Sequence, residues 1–78
     1  MDTQGRYPEA SRQVRQLREA QNMTQEDLTA RCNIVGFNIS RGTLAKIESQ
    51  VRQVTDKEAA LLAKALKISV EVLYKQKG

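Results

Sequence analysis

Histidine and tryptophan are absent from this chain of 78 residues, and cysteine, proline and phenylalanine each occur once. Without histidine there is no imidazole to ligate a metal or act as a general base. The lone Cys32 cannot close an internal disulfide; an unpaired thiol fits a reducing cytoplasm or a buried structural role. No nucleophile–base pair is evident and the acids fall at helix starts or beside bases, so neither catalysis nor a cofactor is expected. No apolar run approaches the roughly 18 residues that span a bilayer, and no leader is visible at the start, so no membrane is expected as a partner. Long basic blocks are missing too. The net charge is +4, spread as one surplus charge in residues 1–22, one in 23–54 and two in 55–78. An anionic partner would therefore be met by the placement of cations and not by their density.

What the chain does have is apolar residues at helical spacing, which reads as all-α in one small domain over residues 8–75. Flexible tails are expected at 1–7 and 76–78. Pro8 suits the first position of a helix carrying Ala10, Val14, Leu17 and Gln21 on one face, with Asn22 as a left-handed stop. A second helix starts at the cap Thr24, with Asp27 where a capping box would usually hold Glu or Gln. Leu28, Ala30 or the stem of Arg31, Cys32 and Val35 can line its inner side. Ser40 caps a third helix with Leu44 and Ile47 inward. Thr55 and Glu58 form a capping box for a fourth, whose wide stripe of Ala59, Leu62, Ala63 and Leu66 marks the central helix. Ser69 caps a short fifth helix with Val70 and Leu73 inward. Five short helices in so few residues predict an orthogonal bundle.

Three stretches, VRQLREAQNMTQEDL (14–28), ISRGTLAKIESQ (39–50) and ALLAKALKISVEVL (60–73), stand in an order that resembles the lambda-repressor-like, Cro-type (XRE) helix-turn-helix family over about residues 9–74. The resemblance implies that the third helix enters the major groove of double-stranded DNA while the second crosses the backbone. By position it makes Arg41, Gly42 and Lys46 base-contacting residues, since a guanidinium can pair bidentately with guanine. Gln25, Ser40, Thr43 and Arg52 become backbone contacts. Gly42 costs a helix about 1 kcal/mol relative to Ala; either its bareness lets the helix approach the bases, or it belongs to an irregular first turn. Arg18 and Glu48 match a partly buried ion pair that clamps the first and third helices. Such proteins bind palindromic operators as homodimers; Val72 and Tyr74 are candidates for that interface, or scattered surface apolars. The function implied is a transcriptional regulator acting as a repressor in the cytoplasm. An antitoxin of a toxin–antitoxin pair and a restriction-modification controller are alternatives built on the same domain. The feature expected to mark an antitoxin is a long partner-binding extension.

The departure from the family pattern is NIVGFNI (33–39), where about five residues are surplus. A flexible loop would be polar, yet this one carries Ile34, Val35, Phe37 and Ile39, which argues for burial. The expectation is that helix two extends to about Val35, Gly36 permits a reversal, and Phe37 and Ile39 fold onto the core. The alternative leaves Phe37 exposed for a partner.

Overall fold

The computed structural model describes the backbone of residues 8–74 and the side chains of residues 10–73. The expected tails, 1–7 and 76–78, and the side chain of Tyr74 lie outside the described residues. The chain forms α1 (Pro8–Ala20), α2 (Gln25–Ile34), α3 (Arg41–Glu48), α4 (Asp56–Leu66) and α5 (Val70–Tyr74). Among the described residues there is no strand, and no helix is long and apolar enough to cross a membrane.

Local signals account for most boundaries. α1 stops where Asn22 takes φ +59°, and the Met23 N–H returns to the Arg18 carbonyl at 3.1 Å. At the start of α2 the shorter Asp27 does the work expected of Glu. Its N–H donates to Thr24 Oγ1 at 3.0 Å, and its carboxylate accepts the Thr24 N–H at 2.9 Å. The Thr24 backbone N–H, followed by its hydroxyl, holds the Asp27 carboxyl below its ordinary range. Thr55 and Glu58 make the same reciprocal pair at the start of α4. Two other ends are less legible. Lys67 closes α4 in the left-handed region at φ +61°, where Gly or Asn is usual. Ser69, expected as the cap of α5, instead donates its hydroxyl to Glu71 at 3.1 Å, and its carbonyl receives the Val72 N–H.

The core gathers Val14, Leu28, Cys32, Leu44, Ile47, Val54, Leu62, Leu66 and Leu73, all fully buried. α4 packs on α1, α2 and α5, and α3 is held by α1 and α2. Burial lifts the Cys32 thiol to about 11, which keeps it neutral and makes it a poor nucleophile. Of the two residues offered for the inner side of α2, Arg31 is half-buried and Ala30 is exposed.

Residues 35–40 join α2 to α3, against the roughly 3–4 residues of a tight helix-turn-helix. α2 ends at Ile34 with Val35 as its cap, and Gly36 at φ +98° takes a backbone conformation that side chains resist. The Phe37 N–H then donates to the Cys32 carbonyl at 2.8 Å, which turns the ring inward to 8% exposure. Ile39 is half-buried against the core. Asn33 Nδ2 spans the joint, donating to the Thr29 carbonyl at 2.8 Å and the Ile39 carbonyl at 3.2 Å. Ile34 is a correction: it is 83% exposed. At roughly 100° per residue it lies about 200° round the helix from buried Cys32, so a helix that continues this far must turn it outward.

Phe37→Ala is expected to cost about 3 kcal/mol of stability, since it removes a buried ring and leaves a cavity. Ile34→Ala should stay within about 0.5 kcal/mol, as exposed substitutions do. Urea unfolding of the two variants beside the parent checks both; equal losses would contradict the packing of the joint.

Candidate nucleic-acid interface

α3 is anchored from its inner side. Leu44 and Ile47 are fully buried and Glu48 is 6% exposed, so the remaining arc of the helix faces outward. Ser40 starts the helix by accepting the Thr43 N–H at 3.2 Å, and its hydroxyl donates to Thr43 Oγ1 at 3.2 Å. Arg41, Gly42 and Lys46 are exposed, and Thr43 is half-buried. No acid stands in the first turn of α3.

Gly42 lies in regular helix, which removes the irregular first turn as its reason. A Cβ built there meets only Ser40 Oγ, at an ordinary 3.8 Å. Nothing in the packing around this position requires glycine.

The expected pair of Arg18 and Glu48 is present and buried. Arg18 Nε donates to Glu48 Oε2 at 2.7 Å and Nη2 to Oε1 at 3.1 Å, while Nη1 donates to the Met23 carbonyl at 2.7 Å. The hydrogen bond to Glu48 raises the Arg18 pKa, against the opposing effect of burial, so the guanidinium stays charged. The fork-to-fork geometry satisfies both groups, as a buried ion pair must.

The network continues outward from there. Gln25 Nε2 donates to Glu48 Oε1 at 3.0 Å, and Gln25 Oε1 accepts from Arg41 Nη1 at 3.3 Å. Glu26 stands 3.9 Å from Arg41 Nε. Position alone assigns Gln25 to a phosphate; its two bonds join residues 23 and 16 positions apart on different helices, a separation that leaves no local signal. One of its two amide hydrogens remains free of Glu48.

Arg52 is also more occupied than its sequence suggested. Nη2 donates to Glu58 Oε2 at 2.7 Å and Nη1 to Oε1 at 3.2 Å, and its N–H donates to the Lys46 carbonyl at 3.1 Å. Because Glu58 also closes the α4 capping box, this pair ties the loop after α3 to the start of α4. Val51 beside it is 75% exposed. On α5, Leu73 is buried and Val70 half-buried as expected, and Val72 is 38% exposed. The candidate surface thus comprises Arg41, Gly42, Thr43 and Lys46 on α3 and Gln25 at the start of α2, with Arg52 in the loop that follows α3.

A family model described as helix-turn-helix matches residues 14–73. No curated protein and no solved structure matches the chain.

Arg18→Ala strands the Glu48 carboxylate in the interior and is expected to cost about 3–5 kcal/mol. A thermal or urea melt superimposable on that of the parent would show that the pair does not hold α3 to α1.

Proposed function

The chain belongs to the helix-turn-helix family whose model it matches over residues 14–73, and from that membership we propose that it is a sequence-specific regulator of transcription that binds double-stranded DNA as a homodimer. The observation that carries the reading is the division of α3 into a sealed inner face and an outer face of Arg41, Gly42 and Lys46 that no internal packing requires.

In this reading α3 lies in the major groove. Arg41 pairs with guanine O6 and N7, the geometry its planar fork fits best. Its tether to Gln25 orients it before contact at little cost, because the side chain remains 60% exposed. Gly42 lets the backbone approach the base edges, and Lys46 reaches a base or phosphate one turn further on. Thr43 keeps a hydroxyl hydrogen for a phosphate, and Gln25 keeps one amide hydrogen. Arg52 has donors left over for the backbone, though Glu58 compensates its charge. Ser40 contributes mainly by capping α3, since a phosphate would have to share the hydroxyl with Thr43.

A single small domain makes few contacts, so two copies on half-sites about 34 Å apart account better for tight, specific binding. Val72, exposed on α5, is the proposed dimer contact, with Tyr74. A two-fold dimer implies a palindromic operator. Occupying it would exclude polymerase, which is repression without any chemistry.

Selection from a random duplex library is expected to return a palindrome containing guanine in each half. On that duplex Arg41→Ala should cost about 1–3 kcal/mol and relax the choice at one position, with little change on random DNA. Lys46→Ala, if it holds a phosphate, should weaken all duplexes alike and lower the salt slope by about 1. Failure to select any duplex, or equal losses from Arg41→Ala on selected and random DNA, would sink the reading.

A further inference from the structure

α2 has two flanks. Gln25, Thr29 and Asn33 lie on the one that faces α3 and the joint, through the Gln25–Glu48 and Asn33–Ile39 bonds. Arg31 and Val35 lie on the other, which faces α4. Between the C-terminal ends of α2 and α4 this second flank leaves an open cavity of about 270 Å³, lined by Arg31, Ile34, Val35, Lys64, Ala65 and Lys67. Val35 and Ala65 make an apolar floor, and Ile34, 83% exposed, stands at its edge. Arg31 is steadied over the cavity by a long bond from Nη1 to the Ala65 carbonyl, 3.4 Å. Among the described residues none of the three cations closes a salt bridge; Arg31 has only the more distant Asp27, whose carboxyl its charge helps to hold down.

Cations at helix C-termini have an ordinary explanation in the helix dipole. Each helix end carries about half a negative charge, so two ends account for about one of the three cations. The dipole also gives no reason for an isoleucine left in water. We propose that this cavity is a docking site for an acidic segment of a partner protein that inserts an apolar side chain between carboxylates.

Other occupants fit less well. Nucleic acid phosphates would match the cations and leave Ile34 and Val35 without partners. A second copy meeting this patch two-fold would set three cations against three. The chain's own ends supply no acidic complement: residues 1–7 hold one acid and one base, and residues 75–78 hold two lysines. Small-molecule pockets run to roughly 300–1,000 Å³ and enclose most of their ligand; this smaller, open cavity suits one side chain of a longer segment. The charges would steer the encounter, and the apolar contact would hold it.

The test is a titration of the isotopically labelled full chain with a short synthetic peptide alternating Glu–Asp pairs with Leu, followed by NMR. Saturable shifts are expected at Ile34, Val35, Ala65 and Lys67. Ile34→Glu, which changes an exposed side chain, should weaken binding by about tenfold, and Lys64→Glu with Lys67→Glu by at least as much. A matched peptide with Ser for Leu should bind about tenfold more weakly or not at all. Far-UV circular dichroism confirms that the variants remain folded. Shifts centred on Arg41 and Lys46, equal binding of the Ser peptide, or indifference to Ile34→Glu would each overturn the proposal. None of these outcomes depends on whether α3 reads DNA.

Discussion

The buried ion pair of Arg18 and Glu48 is the constraint on which the arrangement of this domain turns. α3 is only eight residues long, too short to be stable alone. Leu44 and Ile47 give it an apolar grip but leave its orientation loosely specified, since dispersion and burial are not directional. The two-point bond between guanidinium and carboxylate is directional. It sets the C-terminal end of α3 against α1, and the third Arg18 donor fastens the turn leading into α2 through the Met23 carbonyl. One charged cluster therefore meets three helices. Its desolvation costs several kcal/mol, which complete hydrogen bonding must offset. The return is positional: the same carboxylate that holds α3 also orients Gln25, and Gln25 touches Arg41. Core and the outer face of α3 share a single hydrogen-bonded chain.

That chain explains how the longer joint is tolerated. The relation of α2 to α3 is specified by Gln25 at the start of α2 bonding Glu48 at the end of α3, and by Asn33 near the end of α2 bonding the Ile39 carbonyl just before α3. The residues between need only close the path without exposing the core. Gly36 supplies the reversal and Phe37 plugs the gap it opens.

How much of this could be read in advance follows the range of each interaction. Thr24 with Asp27 and Thr55 with Glu58 are complete within four residues, so their caps were legible. Asn22 as a stop and the Ala–Leu stripe of α4 were equally local. Phe37 was legible because a large ring in a short joint has few alternatives to burial. Ile34 defeats any reading of NIVGF as one apolar block. The phase of α2 decides each position separately, and it sends Ile34 outward while Val35 turns in. Gln25 and Arg52 were read from their place in a motif, which indicates exposure toward a ligand and says nothing of competing partners. Glu48 and Glu58 were each assigned another role, and a carboxylate has lone pairs enough for two. Lys67 in a left-handed cap carries no local signal, because nothing in its side chain favours that conformation.

The outward Ile34 gives α2 a second role. A helix that served only to brace α3 could bury one flank and solvate the rest. Here one flank is committed to α3 through amide bonds and the other leans on α4, with Arg31 reaching across to the Ala65 carbonyl. The end of α2 that carries Ile34 is also the end from which the joint departs. The residues that lengthen the connection to α3 therefore create both the inward Phe37 and the outward Ile34. Shortening the joint to a tight turn would remove the two together. The inward Phe37 and the exposed Ile34 beside three cations have one origin, a connection to α3 that leaves α2 only after Ile34.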